Sequence, residues 1–212
     1  MSKGCQDPSI FDESFYNEWR RKRLQVTYDH LGKDFFKDKK VLEAGAANGH
    51  ISNELQQLGA EIIAAEARQE TIDVGKTLFP NLNFLQYDFD QDWTLGKFDV
   101  IIHFGLLYHL LDAVQALEDT LDNCNTLVLE TSVSLDDDKI SHHSDVSAVT
   151  EAYNYALGPA QFLGCNLIEE IFRKKDFNYK RILDPVLNLP GYHYDNIGAF
   201  RQRRAFWIAK KN

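Results

Sequence analysis

Apolar and polar positions along this chain fall into two periods. From residue 40 onward, short apolar runs alternate with stretches in which apolar positions return every three or four residues. The runs predict strands at 40–44, 61–66, 82–86, 98–103 and 126–130, and the helical period appears near 51–58, 69–77 and 112–122. Such alternation predicts parallel strands joined by helical crossovers, an α/β fold with a doubly wound sheet. Upstream, Phe11, Phe15, Tyr16, Trp19, Leu24, Val26, Tyr28 and Leu31 stand among charges. Residues 1–36 therefore read as an N-terminal helical cover, with one or two helices over residues 10–36.

Downstream the alternation stops. Residues 132–150 are polar and acidic, with Asp136-Asp137-Asp138 and His142-His143. A loop of this length in a compact domain is commonly a lid or a binding loop. Gly158-Pro159 opens a helical pattern reaching about residue 175. Two last strands are expected at 178–183 and 204–210, the final one antiparallel. The expected architecture is one domain over residues 1–212, with a seven-stranded, mostly parallel sheet. Segments 132–160 and 184–203 are expected to cover the acceptor side.

Composition narrows the class. The 212 residues are 44% hydrophobic and 26% charged, as in an ordinary soluble domain. No stretch approaches the ~18 apolar residues of a membrane span, and Met1 to Pro8 hold no signal-peptide core, so no membrane association and a cytoplasmic location are expected. Cys5, Cys124 and Cys165 have neither paired nor metal-like spacing; Cys124 and Cys165 read as small core residues. A net charge of −9 argues against a surface that grips nucleic acid throughout. The basic clusters Arg20-Arg21-Lys22-Arg23, Arg173-Lys174-Lys175 and Arg201-Gln202-Arg203-Arg204 read as solvated faces.

The richest stretch is Val41-Leu42-Glu43-Ala44-Gly45-Ala46-Ala47-Asn48-Gly49-His50-Ile51. An apolar run ends in a carboxylate, a small-residue turn follows, and a helical pattern begins. Small residues let a ligand approach the backbone, and a helix start offers free N–H groups. Pyrophosphate would be disfavoured beside Glu43, whereas a cationic ligand would be welcomed. The spacing Gly45-x-x-x-Gly49 is not a dinucleotide fingerprint.

The turn resembles motif I of the class I S-adenosylmethionine (SAM) methyltransferases, (D/E)-x-G-x-G-x-G. Glu43, Gly45 and Gly49 match, and Ala47 replaces the middle glycine. The resemblance implies a Rossmann-like fold, SAM as cofactor and S-adenosylhomocysteine (SAH) as product. Ligands of such sheets sit at the carboxyl ends of strands. There Gly45, Ala46, Ala47, Asn48 and Gly49 would form the turn around the cofactor. Glu66, with Ala67, would accept from ribose hydroxyls. Asp88, between Tyr87 and Phe89, would meet the adenine amino group. His103, Phe104 and Gly105 would lie near the reacting methyl.

Phe104-Gly105-Leu106-Leu107-Tyr108-His109-Leu110 resembles the Gly-x-Leu-Tyr-His segment of the tRNA wobble-uridine carboxymethyltransferases, which use carboxy-SAM. Leu127-Val128-Leu129-Glu130-Thr131, Asn17-Glu18-Trp19-Arg20 and Arg203-Arg204-Ala205 resemble further segments of that family. This implies that Tyr108 and either Arg203 or Arg204 face the transferred group, with carboxy-SAM as an alternative cofactor. The turn differs from that family's Gly-Cys-Gly type, and the negative net charge disfavours tRNA. A positioned acceptor and, where it is protonated, a base are required; Tyr108, His109 and His103 are candidates, with His109 favoured by its intrinsic pKa. His142, His143 and Asp136–Asp138 lack an established metal spacing, so no metal site is expected.

The reading is therefore a SAM-dependent methyltransferase acting on an O or N, less readily C, of a small molecule or sugar-like metabolite. It would act as a monomer or homodimer. The alternatives are a tRNA wobble-uridine enzyme and a SAM-binding protein without catalysis.

Overall fold

Strands buried on both faces carry near-continuous apolar runs, and the expected central strands form on such runs. The computed structural model describes residues 14–143, 160–184, 186–188 and 203–212. In chain order the parallel strands are β1 (Lys40–Ala44), β2 (Glu61–Glu66), β3 (Asn83–Gln86), β4 (Phe98–Phe104) and β5 (Cys124–Val133). Leu42 sits opposite Ile63 on one side and Ile101 on the other, and Ile101 in turn faces Leu127. β8 (Phe177–Ile182) and β9 (Arg203–Lys211) complete the sheet, with β9 antiparallel between β5 and β8. The order is β3-β2-β1-β4-β5-β9-β8. This is a Rossmann-like, seven-stranded, mostly parallel sheet. The chain reverses its direction of winding between β1 and β4, which opens a crevice at their carboxyl ends.

Helices cover both faces. They are α1 (Ser14–Leu31), α2 (His50–Gln57), α3 (Gln69–Leu78), α4 (Ala113–Asp122) and α5 (Cys165–Lys174). A 3-10 turn over Lys33–Phe36 follows α1, so residues 14–36 are helical throughout most of their length. Alternating side chains serve two cores. Leu42, Ile101, Leu127 and Trp207 pack with Leu117 of α4 and Phe172 of α5. Val41, Ile102, Val128 and Phe206 pack with Leu24 of α1 and Leu55 of α2. Cys124 and Cys165 are buried thiols. No described helix is long and apolar enough to cross a membrane.

One expected element is different. The helix expected from 158 to 175 begins only at Cys165, after Gly164. Ala160–Leu163 is instead a strand, β7, antiparallel to β6 (Ile140–His143). Successive side chains explain it. Gln161 bonds Leu111 O and accepts from Ala113 N at 3.1 Å, while Phe162 and Leu163 are both buried. A one-residue alternation of partners suits an extended chain, not a helix. The rest of the expected covers, residues 144–159, 185 and 189–202, lies outside the described residues, as do Phe11 and Cys5.

Candidate functional site

Ala44 of β1 lies opposite His103 of β4; β1 ends there and β4 one residue later, at Phe104. A cleft of about 150 Å³ opens beyond them. The turn after β1 lines it through Gly45, Ala46 and Ala47. Three alternate residues of this turn have positive φ: Gly45 at 71°, Ala47 at 48° and Gly49 at 81°. Gly45 is also confined, since a Cβ there would lie 3.2 Å from Leu106 Cβ. Ala46 N–H donates to Ala65 O at 2.9 Å, and Gly49 N–H to Ala46 O at 2.8 Å, which ties the turn to β2 and closes it. Ala47, in the middle, has a left-handed conformation that costs an L-residue roughly 1–2 kcal/mol. Replacing the middle glycine thus costs backbone energy as well as clearance.

Glu43 lines the cleft yet is 3% exposed. Its Oε2 accepts from Ser52 N–H at 2.8 Å and from the Ser52 hydroxyl, so it also closes the positive end of α2. Burial pushes its carboxyl up to about 7, against the opposing pull of the Ser52 bonds and of Arg23 and Arg20. Near neutral pH it is therefore divided between charged and neutral forms, and a cation beside it favours the charged one.

Glu66, Ala67, Asp88 and Phe89 follow along the same wall. Glu66 Oε2 accepts from Ala47 N–H at 3.0 Å. Its Oε1 accepts from the backbone N–H and Nε of Arg68, at 3.1 and 2.9 Å. A carboxylate has about four acceptor sites, so these bonds leave room for a further donor. Asp88 Oδ1 accepts from Asp90 N–H at 3.0 Å, the local turn bond an aspartate often makes. Phe104, Gly105, Tyr108 and His109 line the other side. Tyr108 is 8% exposed and stacks on Phe162 of β7, ring centroids 5.8 Å apart; His109 is half-buried with its ring 4.0 Å from that of Tyr108.

Several expected residues do not line this cleft. His103 is fully buried and borders a separate small cavity with Tyr87 and Trp93. Along β4, Ile102 and Phe104 share one face and His103 takes the other, so the imidazole expected as a base points away from this cleft. Neither ring nitrogen has a hydrogen-bond partner among the described residues, and burial lowers its pKa to about 4. Tyr87 is spent on structure: its hydroxyl donates to Asp92 O at 3.0 Å and accepts from Thr94 N–H at 3.2 Å. Asn48 is buried within the turn, and Gly49 faces Phe84 and Leu82. Arg204 is buried behind the wall. It bonds Glu130 through Nε and Nη2 (the latter at 3.0 Å) and Ser132 Oγ through Nη1 at 2.8 Å.

The sequence reading missed the contribution of α1. Tyr16, Trp19, Arg20 and Arg23 all line the cleft. They fall at i, i+3, i+4 and i+7, one helical face, and that spacing was the available signal. Arg23, expected on a solvated face, is 5% exposed. Its Nη1 lies 3.3 Å from Glu130 Oε2, and its guanidinium packs 4.0 Å from the Trp19 ring centroid. Arg68 and Asp90 are further lining residues that no motif indicated. Asp136 pairs with Lys139 and Asp138 with Asn166, and no metal-binding group of three occurs among the described residues.

Comparison with known proteins gives the family and the fold. The pattern of a methyltransferase domain matches residues 16–160. The N-terminal domain of EvdMO1, crystallised in the presence of SAH and D-fucose, has the same fold: TM-score 0.68, 17% identity, covering 91% of this chain and 83% of that one. A SAM-dependent methyltransferase from Mesorhizobium loti superposes with TM-score 0.63 at 9% identity, over 95% of this chain and all of that one (100%). Magnesium protoporphyrin IX methyltransferase from Synechocystis PCC 6803, with bound SAH, gives TM-score 0.61 at 13% identity, over 92% and 84%. No curated protein matches the chain.

Proposed function

The chain belongs to the methyltransferase-domain family, and from that premise we propose that it binds SAM in this cleft and methylates an oxygen or nitrogen of a small molecule. The observation that carries the reading is the succession of carboxylates Glu43, Glu66 and Asp88 at three strand ends along one cleft, beside the turn Gly45-Ala46-Ala47. This donor and acceptor set fits an adenosyl sulfonium. Glu66 retains acceptor capacity for ribose hydroxyls, Phe89 offers a ring beside Asp88 for adenine, and Glu43 gains by facing positive charge. Gly45 and Ala46 bring bare backbone to the wall. The SAH-bound neighbours support the same cofactor.

When bound, that cofactor supplies an electrophilic methyl carbon on a sulfonium. The task of the protein's own residues is then to hold a nucleophile in line and dispose of its proton. His109 is half-buried in the cleft wall and has an intrinsic pKa suited to accepting that proton. Tyr108, fixed by stacking on Phe162, forms the adjacent wall. A small acceptor is favoured over nucleic acid by the net charge of −9. The guanidinium of Arg204, engaged by Glu130 and Ser132, gives little support to carboxy-SAM.

The test is thermal melting with SAM, SAH, carboxy-SAM and NAD in parallel, followed by SAH-release assays with small acceptors and tRNA. A ligand at about 100 times its dissociation constant stabilises the fold by ~2.7 kcal/mol. Stabilisation by SAM and SAH is expected. No stabilisation by any adenosyl ligand, or stabilisation by NAD alone, refutes the proposal, and SAH release with tRNA but no small acceptor refutes the acceptor class.

A further inference from the structure

Tyr108 and His109 reach the cleft from a short 3-10 turn, Leu107–His109. The chain entering this turn is tied to the sheet: Gly105 N–H donates to Glu130 O at 2.8 Å, and Leu107 is buried. The chain leaving it is more open. Beyond the buried Leu110, Leu111 is 48% exposed and Asp112 is exposed too, and α4 then begins at Ala113. An exposed connection with few apolar contacts opens readily unless polar groups close it.

Two side chains from distant parts of the sequence close it. Asp90 Oδ1 accepts from Leu111 N–H at 2.7 Å, a hydrogen bond strengthened by the carboxylate charge. From the other side, Gln161 Nε2 donates to Leu111 O, and Gln161 Oε1 accepts from Ala113 N–H at 3.1 Å. Both backbone groups of Leu111 are thus taken by side chains. The next residue of β7, Phe162, stacks on Tyr108, so the same strand holds the turn and its exit. Asp90 in turn belongs to the chain after β3. It lines the cleft with Asp88 and Phe89, and its N–H donates to Asp88 Oδ1 at 3.0 Å. A continuous run of hydrogen bonds therefore joins Asp88, Asp90, Leu111 and Gln161. Asp112 caps α4 by accepting from Gln115 N–H at 3.0 Å, so the helix start does not depend on Gln161 alone.

We propose that Asp90 and Gln161 are positioning residues, which hold the turn carrying Tyr108 and His109 and make its order depend on cofactor occupancy. The inference rests on the methyltransferase reading and concerns the regulation of that same site. An adenosyl group against Asp88 and Phe89 restrains the chain after β3. Asp90 passes the restraint to Leu111, and Gln161 fixes Leu111 against β7. The wall that meets the acceptor is then ordered before the acceptor arrives, and the acceptor loses less conformational freedom on binding. Cofactor and acceptor binding thereby reinforce each other, and by linkage the effect is mutual.

NMR of the free and SAH-saturated protein tests this without a known acceptor. Amide exchange is followed at Leu111 and Ala113, and the His109 imidazole signal is assigned with His109→Asn. Wild type is compared with Asp90→Ala, Gln161→Met and Asp90→Asn, the last keeping an oxygen for Leu111 N–H; a melting curve for each is the control on folding. SAH is expected to slow exchange at both amides of the wild type at least about tenfold. In Asp90→Ala the slowing at Ala113 should fall below about threefold, and Asp90→Asn should restore it. In Gln161→Met, Leu111 should still respond to SAH. The SAH-bound His109 signal should coincide in wild type and Asp90→Asn and be displaced in the other two. SAH affinity should change less than about threefold throughout. Amides of the wild type indifferent to SAH, or a bound His109 signal identical in all four proteins, overturns the proposal. A loss of SAH affinity of tenfold or more in Asp90→Ala also overturns it, by making Asp90 a cofactor contact. Wild type that fails to bind SAH at all refutes the methyltransferase reading itself, a result distinct from these.

Discussion

Glu43 and His103 are buried on adjacent strands and titrate in opposite senses. Burial raises the Glu43 carboxyl from 4.5 to about 7 and lowers the His103 imidazole from 6.5 to about 4. Between pH 4.5 and 6.5, folded Glu43 keeps a proton that the unfolded chain has released. Over the same window folded His103 lacks a proton that the unfolded chain holds. By linkage, Glu43 makes the fold more stable as pH falls, and His103 makes it less stable. Each group alone contributes a slope of roughly 1.4 kcal/mol per pH unit, so the two nearly cancel in the wild type.

Removing either group unmasks the other. Glu43→Gln keeps an oxygen for Ser52 N–H and removes the titration; His103→Leu removes an imidazole with two unbonded nitrogens and leaves an apolar side chain. Urea unfolding followed by tryptophan fluorescence at about pH 5 and about pH 6.5 reads the difference. Relative to wild type, Glu43→Gln should lose ~2 kcal/mol on acidification across that interval, and His103→Leu should gain ~2 kcal/mol. The surface carboxylates common to all three proteins drop out of the comparison. Offsets that stay constant between the two pH values in both variants refute the opposed titration. Offsets of the same sign refute the assignment of one group.

Two further outcomes follow from the turn and its neighbour. Glu66→Gln keeps one oxygen for Ala47 N–H but loses the charge, and should weaken SAH binding about tenfold by calorimetry with the fold intact; unchanged affinity removes the ribose role. Ala47→Gly should raise stability by about 0.5–1 kcal/mol, because φ of 48° is strained for alanine and free for glycine, while the more flexible unfolded chain takes back part of the gain; a lower midpoint in denaturant refutes strain at this position.

The strands and their order of chemistry were legible because burial on two faces leaves an apolar run whatever the partner is. Expected strand 98–103 and observed β4 differ by one residue at the end. What a run of apolar residues does not carry is parity. Phe98-Asp99-Val100-Ile101-Ile102-His103-Phe104 is apolar on both faces, so nothing local says that Phe104 reaches the cleft and His103 does not. Only the placement of neighbouring layers decides it. The same limit explains residues 160–163, where short apolar segments fit strand and helix alike until Gln161 finds Leu111 and Ala113 across the chain.

Arg23 poses the reverse case, in which a local pattern was informative and a prior about charge obscured it. A run of four basic residues suggests solvent, yet Lys22 pairs with Asp184, Arg23 is sealed against Trp19 and Glu130, and of the four only Arg21 is exposed. The partner that makes burial tolerable is 107 positions away, on β5. Glu43 joins the two lessons. Its place before a small-residue turn identified it as a cleft acid, and it is one, but Ser52 also makes it the cap of α2. A residue that holds up the helix and lines the cleft cannot be exchanged without disturbing both. Its charge state is set by burial and by the arginines of α1 together, so the acid at the end of β1 and the basic face of α1 act as one electrostatic unit.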